Sequence, residues 1–329
     1  MGLKSATIKV YVYTGTSGSY SNGDLKYTLA KDRISTRSNV IFEIGNLVRD
    51  YIDVSFNDDY TSATKWVTIV KTLIDEETGE EYDEGSPVTT HYILKDGYGD
   101  YEDEINPQTA THAMITANDI YLPEGTAGKF PIFAEGVGKV TIDTTDTEIT
   151  DSGNSNQKIQ YITIPADSST IKVYDTDDTT LLKTVTVNNI CEPKFTDYKV
   201  TFVNKHGAYQ DVYFFKRTTE TLAVNDDTYK VNNINTSTVS YPTYKGQRQR
   251  YDVNGQTSLT MNTGFISESA VATIEELFLS ENVWIRWDGQ TLPIIPRSKS
   301  FTHKSSLNDR LINYTVNFDF AFNKINNVR

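Results

Sequence analysis

Residues 311–322 read Leu-Ile-Asn-Tyr-Thr-Val-Asn-Phe-Asp-Phe-Ala-Phe, the cleanest alternation in the chain. Leu311, Asn313, Thr315, Asn317, Asp319 and Ala321 interleave with Ile312, Tyr314, Val316, Phe318, Phe320 and Phe322. Successive side chains of a strand point to opposite faces, so this period of two predicts one long strand with an aromatic-rich buried face. Upstream, Val283, Ile285 and Trp287 alternate with Trp284 and Arg286. Asp288-Gly289 then supplies a residue pair favoured in tight hairpin turns, and Leu292, Ile294 and Ile295 form the return strand.

A helix is expected before this hairpin. Ser267 is placed to cap it, Glu268 complements the positive end of its dipole, and Ala270, Val271, Ile274, Leu277 and Phe278 recur at three- and four-residue steps. Further back, Tyr198 to Val203 and Asp211 to Phe215 read as a hairpin around a turn at Asn204 to Gly207, and the segments between it and the helix are polar and rich in Asn, Thr and Tyr. Residues 193–329 therefore read as a C-terminal β module with one packed helix.

Residues 119–192 change in character. Lys139 to Asp143, Ile159 to Ile164, Thr170 to Tyr174 and Leu181 to Ile190 alternate between clusters of Gly, Asp, Asn and Ser, the pattern of a small immunoglobulin-like β-sandwich without that family's Cys and Trp. Residues 1–118 show strands at Thr7 to Tyr13, Thr64 to Ile74 and Pro87 to Leu94, and a helix near Phe42 to Ile52 with a stripe of Ile44, Leu47, Val48 and Tyr51. Gly45 weakens that helix by up to roughly 1 kcal/mol, leaving packing to hold it. The fold class is thus mostly β: two β modules, each with one packed amphipathic helix, flanking a sandwich.

Composition agrees. The chain has 329 residues, 37% of them hydrophobic, with 21 Tyr and a single cysteine, Cys191. One cysteine excludes an intrachain disulfide framework, and a lone cysteine is expected as a small buried hydrophobe. The start, Met1-Gly2-Leu3-Lys4-Ser5, leads directly into a strand pattern rather than a secretory leader, and no apolar run is long enough to span a bilayer, so a soluble product is expected.

The formal net charge of -13 argues against nucleic acid as a partner, because phosphate binding needs concentrated Lys and Arg. Charge is also unevenly spread. Asp75 to Glu104 holds twelve carboxylates against Lys95, among them Glu76, Glu77, Glu80 and Glu81 on a long hairpin loop between Asp75 and Ser86. From Arg286 onward seven basic residues, including Arg297, Lys299 and Lys304, face three acidic ones. Such runs serve as solvated loops, or as complementary edges of neighbouring copies whose association would weaken with salt.

Signals for catalysis are weak. His91, His112, His206 and His303 have no metal-ligand spacing, and Asp96-Gly-Tyr-Gly-Asp100-Tyr-Glu102 lacks the glycine and terminal Glu of a calcium loop. Gly97-Tyr-Gly99 and Gly136-Val-Gly138 lack the third glycine and following helix of a phosphate loop. No catalytic residue, metal or cofactor is expected.

The run Val200 to Phe215 with its Asn204-Lys-His-Gly207 turn, together with Met261-Asn-Thr-Gly264-Phe-Ile and Glu275-Glu-Leu-Phe-Leu-Ser280-Glu-Asn-Val-Trp284-Ile, resembles the carboxy-terminal part of structural proteins of tailed bacteriophages. The likeness covers residues 193–329 only. It implies a virion subunit of a tail, baseplate or neck ring, whose β modules oligomerise with copies of themselves and with other virion proteins; no membrane partner is expected, since no apolar run reaches bilayer length. Trp284 and Trp287 sit on opposite faces of one strand and are expected to anchor contacts. The alternative class is a binding module for cell-surface glycan, with Trp66, Tyr92, Tyr98 and Tyr101 as an aromatic groove.

Overall fold

A computed structural model describes residues 2–34, 39–61, 63–81, 87–99, 112–192, 194–234, 237–238, 240–298, 302 and 311–325. Strands make up 51% of the structure and helices 7%, so the class is mostly β. Contacts group the chain into two units: Met1–Cys191 with Thr201–Val212 and Ser269–Asn282, and Glu192–Val200 with Tyr213–Glu268 and Val283–Arg329.

In the first unit, β1 (Leu3–Tyr13), β2 (Leu25–Asp32), β3 (Lys65–Asp75) and β4 (Val88–Leu94) form an antiparallel sheet of order β2-β1-β3-β4. Alternation sorts its side chains. Ile8, Val10, Val12, Val67 and Ile69 share one core with Val48 of the short helix α1 (Gly45–Arg49), whereas Tyr11, Tyr13 and Trp66 cluster separately. The helix expected over 42–52 is only five residues long, because no side chain caps it at Ile44 and the bonds from Tyr51 N to Val48 O and from Ile52 N to Arg49 O tighten its end into a turn.

Residues 119–192 give β5 (Asp119–Pro123), β6 (Gly128–Phe133), β7 (Lys139–Ile142), β8 (Thr145–Glu148), β9 (Ile159–Ile164), β10 (Thr170–Tyr174) and β11 (Leu181–Ile190). They pair as a five-stranded sheet, β5-β11-β10-β7-β8, and a two-stranded one, β6-β9, a sandwich-like arrangement. Inward Val140, Ile142, Ile171, Val173, Val185 and Val187 are buried, as are Phe130, Ile132 and Ile164. Carboxylates fasten its turns. Asp143, at φ 53°, accepts from Ser169 N, Ser169 Oγ and Thr170 N at 2.9, 2.7 and 3.0 Å. Asp177 accepts from Thr179 N and Thr180 N at 2.8 and 2.7 Å and from the Thr180 hydroxyl. Residues 1–118 and 119–192 fall in the same unit, joined where Trp66 Nε1 donates to Gly15 O and Asn154 O at 3.2 and 3.1 Å.

The hairpin of β12 (Tyr198–Val203) and β13 (Tyr209–Phe214) begins a seven-stranded sheet of order β13-β12-β17-β18-β20-β15-β14. Its other members are β14 (Thr219–Lys230), β15 (Arg248–Asn262), β17 (Val283–Trp287), β18 (Gln290–Pro296) and β20 (Thr315–Asn323). The Asp288-Gly289 turn has φ 46° and 76°, the paired positive values of a type I′ hairpin. The strand expected over 311–322 divides into β19 (Leu311–Ile312), paired with β16 (Ile266–Ser267), and β20. The break sits where Tyr314 N donates to Thr263 Oγ1 at 3.1 Å and Tyr314 O accepts from Thr263 N at 3.0 Å. Ile312, Tyr314, Val316, Phe318 and Phe320 are buried as the alternation requires, but Phe322 is exposed.

Helix α2 (Val271–Leu279) is the only helix of seven or more residues among those described, and it groups with the first unit. Ser267 does not cap it: a 3-10 turn, Glu268–Ala270, precedes it and Ser267 pairs in β16. Ala270, Val271, Ile274 and Leu277 are buried as expected, together with the polar Thr273 and Glu276. Those two meet the 204–210 turn. Asn204, fully buried, donates to Met114 O (2.6 Å) and Gln210 Oε1 (2.9 Å), and its Oδ1 accepts from His206 N (3.0 Å) and Ala208 N (3.1 Å). Gln210 Nε2 donates to Thr273 Oγ1 (3.2 Å), and Lys205 N to Glu276 Oε2 (3.2 Å). Gly207, at φ 81°, lies so close to the next loop that a Cβ would stand 2.0 Å from Asp96 O.

Asn204→Ala should therefore lower unfolding free energy in urea by about 3 kcal/mol or more, since four hydrogen bonds in and around a buried turn are lost and a buried group deprived of a partner costs about 1–3 kcal/mol. Gly207→Ala should be worse than Gly79→Ala, which shares a positive φ but has open space around it and should cost only about 1–2 kcal/mol. Equal losses in urea would show that backbone strain, not packing, fixes the turn. A second test uses pH. Hydrogen bonds from Thr180, then Thr179, lower the Asp177 pKa from 3.8 to about 2. A depressed carboxylate contributes stability above its unfolded value that is lost as pH falls through the folded one. Thermal unfolding followed by circular dichroism should show Asp177→Asn less stable at pH 7 and less sensitive to pH between 3.8 and about 2.

Candidate functional site

The β14–β15 hairpin is the most exposed regular structure in the second unit. Every residue of β14 is exposed except Asp226, which is half-buried. Strand β15 pairs with β20 from Gln256 to Asn262, and Lys324 N reaches Gly255 O, so among the described residues a third strand backs only the inner half of the hairpin. From Asn225 and Asn254 outward it continues as a two-stranded ribbon, about 20 Å long at 3.4 Å per residue. A register shift between Asn225 and Asp227, opposite Asp252 at φ 51°, bends the ribbon where it leaves the sheet.

Aromatic and basic residues concentrate at its end. Tyr229 and Tyr251 pack edge to face with centroids 5.6 Å apart, and Tyr241 and Tyr244 are 62% and 84% exposed. Thr228 to Tyr251 contains Lys230, Lys245, Arg248 and Arg250 and no acidic residue, against the chain's net charge of -13. Arg250 pairs with Asp226 at 2.8 Å. This arm was missed by hydrophobic periodicity because neither of its faces is buried. The excess of Tyr and the all-basic stretch were the available signals.

Two clefts lie in the first unit. One, of about 420 Å³, is lined by Arg49, Asp50, Asp53, Asp96, Glu281 and their neighbours. Arg49 Nε binds the buried Asp96 at 3.2 Å and its NH2 group binds Glu281 at 3.0 Å. Burial opposes the guanidinium charge, but these carboxylates outweigh it and raise the Arg49 pKa. Asp50 and Asp53 are exposed, and their carboxylates make no hydrogen bond or ion pair among the described residues. The other cleft, of about 560 Å³, combines Asp58, Asp59, Lys129, Gln157 and Gln160 with the rings of Tyr60 and Tyr161. Burial raises the Tyr161 pKa and its hydroxyl accepts from Tyr209 N at 2.9 Å, while Tyr209, also through burial, is pushed up to about 12. Both phenols stay protonated at neutral pH. In the second unit a groove of about 250 Å³ is bordered by Trp287, Leu292, Phe320 and Phe322.

Among the described residues, those singled out from sequence do not converge. Trp287 is half-buried, stacked on Tyr198 at 4.7 Å and set edge-on to Phe320 at 5.8 Å, so this chain itself covers much of it. Trp284 is half-buried on the opposite face of β17. Arg297 is exposed, 3.8 Å from Asp319. Glu76 pairs with Arg33 at 2.7 Å, and Glu77, Glu80 and Glu81 are exposed beside it. Lys299, Lys304 and Tyr101 lie outside the described residues. Asp75 and Asp96, counted with the solvated acidic loops, are buried. Cys191 is exposed rather than buried, because β11 ends at Ile190. Trp66 is buried and Tyr92 lies opposite Val67 on the other face of the sheet, so they form no common aromatic groove. Among the described residues no group of three His, Cys, Asp or Glu is placed to hold a metal, and no helix is long and apolar enough to cross a membrane.

Neither protein-family models nor curated proteins match this chain. Arg49→Met should lower stability by about 1–2 kcal/mol, because it strands the buried Asp96 carboxylate beside a half-exposed position. Adding Asp96→Asn should recover part of that loss. Equal stability of the wild type and Arg49→Met in urea would show that the pair does not hold the cleft.

Proposed function

We propose that the chain is a structural subunit of a tailed bacteriophage virion, part of the tail, baseplate or neck, assembling with itself and other virion proteins through strand edges and hairpin loops and carrying no catalytic centre. The observation that carries this reading is the two-stranded arm. An unbacked ribbon is marginally stable in water, and this one holds exposed tyrosines that no other strand among the described residues covers. Support also comes from the phage-like segments. Val200 to Phe215 is the β12–β13 hairpin around Asn204, and Glu275 to Ile285 runs from α2 into β17. Absolute mass by light scattering after gel filtration should give a discrete oligomer at low salt that dissociates as salt rises. A monomer at every concentration and salt, without rings or filaments in negative-stain images, would sink self-assembly.

A second reading, glycan binding at the virion surface, is favoured by the Tyr60 cleft, where carboxylates, amides and rings offer the hydrogen-bond acceptors, donors and apolar faces that sugars use. Host surface polysaccharide should then bind the protein in titration calorimetry, with at least tenfold loss in Asp59→Ala/Gln157→Ala. Binding unchanged in that variant would exclude the cleft.

A further inference from the structure

We propose that the β14–β15 arm of one copy docks through its cationic tip onto the Asp50/Asp53/Asp96/Glu281 cleft of a second copy. This rests on the assembly reading and names its contact. Four basic side chains and no acidic one occupy Thr228 to Tyr251, at the end of a ribbon whose tyrosines are exposed. Lys230, Lys245 and Arg248 carry this charge furthest from compensation, since Arg250 is matched by Asp226. The bulge and the Asp226-Asp227 pair blunt edge-to-edge strand addition, so the tip is suited to side-chain contact rather than indiscriminate pairing.

The occupant follows from charge. In a chain of net charge -13 most of the surface attracts cations weakly, but the cleft gathers four carboxylates around one arginine. Asp96 and Glu281 already hold Arg49, leaving Asp50 and Asp53 at the mouth to receive a lysine or arginine from outside. At about 420 Å³ the cleft admits such side chains. Tyr229, Tyr251 and Tyr244 then lie beside the charged contact as apolar anchors. Arm and cleft are different surfaces, so the contact is heterologous and builds rings or open filaments rather than an isologous dimer.

The test mixes two full-length variants that each keep one half of the contact. Lys230→Gln/Lys245→Gln/Arg248→Gln neutralises the arm, and Asp50→Asn/Asp53→Asn neutralises the mouth of the cleft without touching the Arg49 pairs. Circular dichroism verifies that both fold. Each alone should need at least tenfold higher concentration than the wild type to assemble, while an equimolar mixture should form heterodimers in light scattering, because one intact arm meets one intact cleft. Variants that assemble like the wild type, or a mixture that stays monomeric, would overturn this docking while the wild-type oligomer still stood. A wild type that never assembles would overturn both it and the assembly reading.

Discussion

The 204–208 turn is buried at Asn204, Gly207 and Ala208 and half-buried between, and the Asn204 side chain takes the place of water for its inner backbone groups. One amide has four hydrogen bonds and uses both its donors and both lone pairs of its oxygen. Through them it fixes the turn of the β12–β13 hairpin, the chain at Met114 and the orientation of Gln210, which in turn holds Thr273 on α2. Gly207 and Gly97 let the neighbouring loop come close enough for Tyr98 N to donate to Lys205 O at 3.0 Å. Lys95, its pKa lowered by burial, donates from Nζ to His206 O. A short carboxamide can satisfy this geometry and a longer or apolar side chain cannot, since the low-dielectric site penalises any group left unpaired. The cleft around Asp96 depends on the same loop, because Asp96 and Gly97 are the residues pressed against the turn.

Sequence made the buried strands legible because burial on one face writes a period of two. The ranges of β9, β10, β11 and β12 coincide with the alternating runs, and the turn at Asp288-Gly289 follows from two residues that tolerate positive φ. Where side-chain chemistry cuts across that period, the reading failed. The alternation from Leu311 to Phe322 hides the break at Tyr314 because Thr263 bonds there sideways. The polar face of α2 hides two buried residues, Thr273 and Glu276, whose partners are distant in sequence. The helix over 42–52 had the right stripe but lacked the caps and length to persist.

The arm was illegible for the opposite reason. Leu222, Val224, Tyr229 and Tyr251 are all exposed, and exposed faces impose no pattern. Its clearest trace was compositional, tyrosine and basic residues among Asn and Thr. Summed charge concealed it too, because counting carboxylates along 75–104 joins side chains with different fates. Asp75 and Asp96 are structural, Glu76 is paired, and the cleft draws Asp50, Asp53 and Glu281 from elsewhere in the chain.

A strongly acidic chain has a physical advantage for ordered assembly. Copies at -13 repel one another over roughly a Debye length of about 8 Å at physiological salt, so random encounters are discouraged. In the proposed assembly, a contact that brings local opposite charge together offsets that repulsion and favours one orientation over others. Neutralising the whole surface would remove the repulsion along with the selectivity, giving association without register. In the proposed assembly, a run of four basic side chains without an acidic one, set on a narrow ribbon bent at its root and blunted at its edge, makes the attraction directional against an acidic background.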